Sequence, residues 1–137
     1  MTPAEGRTRS IDKAGIRVRA DDARSLINAA HMFVETEEMA DWKTAGANAV
    51  HAGIAAADAV CGHVLGYLSR SQDHRTAVDV LRRATQPDNG PANDLARLIN
   101  EKDQFDYGSQ RVTQASARDT IRRAERLLAV MEERLRS

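Results

Sequence analysis

Apolar positions in this chain recur at helical intervals along nearly its whole length. From Asp21 to about Glu38, Ala23, Leu26, Ile27, Ala30, Phe33 and Val34 fall on one helical face, with Asp21 or Asp22 as the N-cap. A short link around Asp41 and Trp42 follows, and Thr44 can cap a second helix running to about Ser69. That helix is crowded with alanine and interrupted by Gly46, Gly53, Gly62 and Gly66. Each helical glycine costs about 1 kcal/mol relative to alanine, so close packing must compensate. Its few polar positions, Asn48, His51 and Asp58, are spaced by three and seven and predict a polar seam.

A third helix is predicted from Asp73 or His74 to Ala84, with Ala77, Val78, Val80 and Leu81 inward. The segment TQPDNGP breaks the chain, and Pro91 opens a shorter fourth helix carrying Leu95, Leu98 and Ile99. The pattern stops around KDQFDYGSQ. Thr113 then caps a fifth helix with the stripe Ala117, Ile121, Ala124, Leu127, Leu128, Val130, Met131 and Leu135. Strands are nowhere required. The reading is an all-α, up-and-down bundle of four main helices plus one short one, preceded by a flexible leader over 1–19, with one domain over 20–137.

Composition narrows the chemistry. Aromatic residues make up only 4% of the 137 residues, so the core must be aliphatic, which suits helices. Twenty basic and twenty acidic residues cancel, so no overall field steers the protein toward nucleic acid or membrane. The balance is local instead: residues 1–20 hold five basic and two acidic groups, residues 21–110 eight and fourteen, and residues 111–137 seven and four. The single cysteine, Cys61, supplies neither a disulfide framework nor a thiolate metal cluster. No apolar run is long enough to span a bilayer and no secretory signal is evident, so a cytoplasmic protein without a membrane partner is expected. No cofactor and no metal are expected: His51 and Asp58 share a face but lack a third ligand at suitable spacing.

The order of parts resembles the HEPN superfamily of small prokaryotic helical bundles. The likeness is carried by DARSLINAAHMFVETEEMADW, by the alanine-rich AGANAVHAGIAAADAVCGHVLG, by the Arg70/His74 pair before the third helix, and by FDYGSQRVTQASARDTIRRAERLLAVMEERL. It covers about residues 20 to 137. The resemblance implies a homodimer whose two Arg/His corners meet in a cleft. It further implies either a metal-independent ribonuclease, often a toxin with a nucleotidyltransferase antitoxin, or a non-catalytic binding subunit. The superfamily motif places four to six residues between arginine and histidine, whereas Arg70 and His74 are separated by three.

On that reading His74 is the base that takes the 2′-hydroxyl proton of RNA, and Arg70 the cation that stabilises the phosphorane. Arg75 stands ready for a phosphate, and Asn48, His51, Asp58 and Tyr107 form a supporting polar set. The same residues also admit a structural reading. Arg70 can satisfy helix-end carbonyls, His74 can be the first residue after an Asp73 cap, and Tyr107 can simply pack under the last helix. Asp58 must pair or face solvent, because a lone buried carboxylate is costly. Arg24 and His31 also fit an arginine-histidine spacing, which is taken as coincidence, and His63 is read as a surface or capping residue. The arginine and glutamate alternation of the last helix is read as a solvated face stabilised by pairs within the helix.

Overall fold

The structure is a computed structural model, described here for residues 8–70, 74–108 and 111–137. It is an all-α helical bundle of five helices: α1 Lys13–Val34, α2 Met39–Leu65, α3 His74–Thr85, α4 Gly90–Tyr107 and α5 Gln114–Leu135. A two-stranded antiparallel ribbon joins β1 Thr8–Ser10 to β2 Tyr67–Ser69, in the register Thr8 to Ser69, Arg9 to Leu68 and Ser10 to Tyr67.

α2 is the axis of the fold. Ala45, Ala49, Ala52, Ala55, Ala56 and Ala59 are buried along it, and α1, α4 and α5 all pack on it. Small side chains permit this because neighbouring helices can approach until their own branched residues fill the gap. At Gly53 the space a Cβ would need is taken by Leu98 of α4, and at Gly46 by the Phe105 ring. The glycines therefore mark close approaches, as their tolerance within a helix requires.

Helix ends differ from the periodicity in instructive ways. α1 begins at Lys13, eight residues before Asp21, because Asp12 caps it: Asp12 Oδ1 accepts from Gly15 N at 2.8 Å. The boundary drawn after residue 19 thus falls inside α1. α2 begins at Met39 and not after Thr44, whose hydroxyl instead donates back to Ala40 O at 3.1 Å inside the helix. The turn before it is built by Thr36: its hydroxyl donates to Asp41 at 2.7 Å and its carbonyl accepts from Trp42 Nε1 at 2.8 Å. α2 stops at Leu65, four residues short of Ser69, because Gly66 adopts φ 82° and the released chain pairs with β1.

The short helix is α3, with 12 residues, whereas α4 has 18 and runs through FDY to Tyr107. Its last turns hold because Phe105 is buried against Gly46 and because Lys43 Nζ donates to Gly108 O at 2.6 Å. The Thr113 cap of α5 is as expected, its hydroxyl oxygen accepting from Ser116 N at 3.0 Å.

The charges of α5 do not form a merely solvated face. Glu132 binds Arg24 of α1, Glu125 lies 3.1 Å from His31, and Arg118 donates to Glu35 at 2.9 Å. On its other side Arg123 reaches Glu101 at 3.1 Å and Arg126 reaches Asp94 at 2.8 Å, both on α4. α5 is stitched to two neighbours by ions, while among the described residues only Arg122 and Asp119 form an ion pair within the helix.

Candidate functional site

The connection from α2 to α3 sits at the ribbon end of the bundle. Gly66 turns the chain out of α2, Leu68 buries its side chain to anchor β2, and Ile11 N donates to Gly66 O at 3.2 Å to extend the ribbon contact. Arg70 leaves β2 immediately afterwards and is exposed. No acid pairs with it among the described residues, whereas Arg19, Arg24, Arg82, Arg118, Arg123 and Arg126 each hold a carboxylate. His74 opens α3. Residues 71–73 and the side chain of His74 lie outside the described part, as does the side chain of Tyr107 at the end of α4.

The expected seam on α2 divides between two helices. His51 faces α4, its Nε2 3.9 Å from Asp106 Oδ2. Asp58, two turns further on, faces α1 and pairs with Arg19, whose Nε donates to Asp58 Oδ2 at 3.1 Å while Nη1 reaches Asp22 at 2.9 Å. Asn48 is half-buried. Pairing thus answers the cost of placing a carboxylate inside an alanine-rich helix. Desolvation nevertheless dominates at Asp58 and pushes its carboxyl above the usual range, with Arg19 and then Arg9 opposing the shift. Burial, followed by the nearby Asp58 charge, pushes the Cys61 thiol up, so it carries little thiolate and is a packing residue.

Around these residues the surface is grooved. One groove of about 580 Å³ lies beside the ribbon, lined by Arg9, Ser10, Ile11, Asp12, Gly15, Val18 and Arg19. A second, of about 250 Å³, separates α3 from α4 between Arg75, Arg82 and Asn100 over Val78, Ala96 and Ile99. A third, of about 300 Å³, runs between the start of α1, His63 of α2 and Leu135 of α5. Two of the three use residues 9–19, a stretch whose sequence reads as a loose leader. The signal for order there is small: an aspartate that can cap, followed by Ile16 and Ala20 at a four-residue interval.

Arg24 and His31 take no part in the corner; both are committed to α5. Among the described residues no group of three or more His, Cys, Asp or Glu gathers as a metal-ligand set, and no helix is long and apolar enough to cross a membrane. No protein-family model and no curated protein matches the chain.

Proposed function

We propose that this chain is a HEPN-like cytoplasmic protein that binds RNA at the corner between β2 and α3 and cleaves it without a metal. The supporting observation is that no acid pairs with Arg70 among the described residues. Arg19, Arg24, Arg82, Arg118, Arg122, Arg123 and Arg126 each pair with a carboxylate, whereas this one stands exposed, four positions before a histidine that opens a helix. With no acid among the described residues to hold it, that guanidinium offers its fork of donors to an anion. His74 then takes the 2′-hydroxyl proton, and the 2′-oxygen attacks phosphorus as the bond to the 5′-oxygen breaks. The 5′-oxygen leaves as a hydroxyl on taking a proton from water, a 2′,3′-cyclic phosphate remains, and Arg70 holds the negative charge that builds on the phosphoryl oxygens. Two copies place two such corners in one cleft, so the working form is a homodimer.

The test is cleavage of end-labelled RNA by purified protein in excess chelator. Wild type cleaves, His74→Ala loses about 100-fold or more of the rate, and Arg70→Ala loses a comparable amount. Full activity in both variants, or no cleavage by the wild type, overturns the reading.

A second reading, a non-catalytic subunit that holds a partner such as a nucleotidyltransferase-type antitoxin, is favoured by one specific feature. Met32 is 75% exposed, and Phe33 and Met39 are about two-fifths exposed, all at the α1–α2 turn. Large apolar groups displayed together at one tip are a common mark of a protein contact. Met32→Asp and Phe33→Asp abolish partner capture on this reading while leaving the Arg70 corner untouched.

A further inference from the structure

We propose that the groove between α1, α2 and α5 is a binding site for a small organic phosphomonoester with a compact apolar body. The site shares no residue with the Arg70 corner and does not rest on the ribonuclease reading.

Two basic side chains and an imidazole meet there. Lys13 and Arg17 stand one helical turn apart on α1, and His63 comes from the last turn of α2. Among the described residues none of the three has a carboxylate or other polar partner, although Arg24 at the same groove is held by Asp21 and Glu132. Cations gathered on one concave surface without counter-charge repel each other in the free protein, and an anion between them removes that cost. Lys13 and Arg17 bring two basic groups and His63 an imidazole that can hydrogen-bond an oxygen, so a dianion matches the site better than a single carboxylate. A phosphate monoester carries close to two negative charges near neutral pH and three acceptor oxygens for donors arriving from different sides.

Beneath the cations the wall is apolar, formed by Ile16, Ala20 and Leu135. Ala20 is buried, while Ile16 and Leu135 are half-buried and present apolar surface to the groove. Inorganic phosphate would leave that surface wet. A phosphomonoester with a small ring or short branched chain covers it, and the volume of about 300 Å³ lies at the small end of ligand cavities. Charge and apolar floor together therefore select a ligand with an anionic head and a compact tail. Because the donors come from α1 and α2 and part of the floor from α5, occupancy clamps three helices together.

The test is calorimetric titration of the full chain with phenyl phosphate, with phenol and inorganic phosphate as separate arms. Phenyl phosphate saturates, phenol does not, and inorganic phosphate binds at least about tenfold more weakly. The exposed pair Lys13→Gln/Arg17→Gln weakens phenyl phosphate at least about tenfold, as loss of charge-assisted donors demands, with unchanged circular dichroism. Leu135→Ser weakens phenyl phosphate but not inorganic phosphate. Arg70→Ala leaves every titration unchanged, which separates this site from the RNA corner. The proposal is overturned if phenyl phosphate fails to saturate at millimolar concentration, or if the Lys13/Arg17 double variant binds it like wild type. It is equally overturned if an RNA oligonucleotide without a terminal phosphate is the only ligand those cations hold.

Discussion

Arg19 of α1 bridges Asp58 of α2 and Asp22 of its own helix, at 3.1 and 2.9 Å, and so fixes the angle at which α1 lies on the alanine-rich axis. Both members of the cross-helix pair are mostly shielded, with side chains 28% and 20% exposed. Removing the cation alone leaves a carboxylate stranded against buried alanines. Arg19→Leu therefore destabilises by about 2–3 kcal/mol, below the range for fully buried pairs because some water reaches this one. Replacing both residues by leucine removes the stranded charge, and the double variant returns to within about 1 kcal/mol of wild type. Urea denaturation of the four proteins of the cycle measures the coupling directly, and additive single effects would refute it.

The same pair sets an unusual pH response. The Asp58 carboxyl is raised in the folded state, first by desolvation. Between the unfolded carboxylate value and that raised value the folded protein holds more protons, so this group lowers stability as pH rises through the window. Glu132 acts in the opposite sense: hydrogen bonding from Arg24 lowers its carboxyl, so its contribution is present above the unfolded value and is lost as pH falls through the folded one. Glu35, lowered by Arg118, has the same sign as Glu132. Asp58→Asn removes the opposing term. Its urea midpoint then climbs more between about pH 4 and pH 6 than that of wild type, and in Glu132→Gln it climbs less. Parallel profiles for the three proteins would show that Asp58 titrates as an ordinary surface acid.

Gly46 tests whether close approach explains the glycines of α2. In an exposed helix, Gly→Ala stabilises by about 1 kcal/mol. Here the added Cβ falls within the ring of Phe105, which is 4% exposed. The steric cost of about 1–3 kcal/mol for overpacking outweighs the propensity gain. Gly46→Ala is accordingly destabilising, and Gly46→Ala combined with Phe105→Leu recovers part of the loss. A stabilised single variant, judged by its thermal midpoint, would mean that α4 can shift away from α2.

The bundle was legible because its information is local. Alternation of apolar residues at three and four positions marks α1, α2, α3 and α5, and the Thr113 cap can be read from the sequence as it stands. What escaped depends on contacts made far along the chain. The ribbon needs residues 8–10 to find 67–69, and neither three-residue segment carries a strand pattern of its own. The extension of α4 through FDY needs Phe105 to meet Gly46, a pairing across 59 positions. The α5 charges look like internal pairs because any arginine and glutamate alternation satisfies that spacing. Their partners on α1 and α4 appear only once the helices are assembled. The division of the seam has the same origin: a seven-residue interval puts His51 and Asp58 on one helical face, and Asp58 meets Arg19 of α1 while His51 meets Asp106 of α4.

Gly66 separates conformational strain from packing, since it is the reverse of Gly46. A Cβ there would meet nothing within 4 Å, yet the residue sits at φ 82°, where side chains other than glycine are disfavoured. Its N–H donates to Gly62 O at 2.9 Å and its carbonyl accepts from Ile11 N at 3.2 Å, so this one residue ends α2 and starts the ribbon. Gly66→Ala costs about 1 kcal/mol through backbone strain alone, and Gly66→Asn, which tolerates the left-handed region better, costs less. The loss falls on the segment that carries Arg70. Hydrogen exchange therefore speeds up at Tyr67 to Ser69 more than in the middle of α2, and the ranking Gly, Asn, Ala is kept in both exchange and thermal midpoint. An alanine variant as stable as wild type would mean that the chain leaves α2 by another route and that the corner is not anchored by this turn.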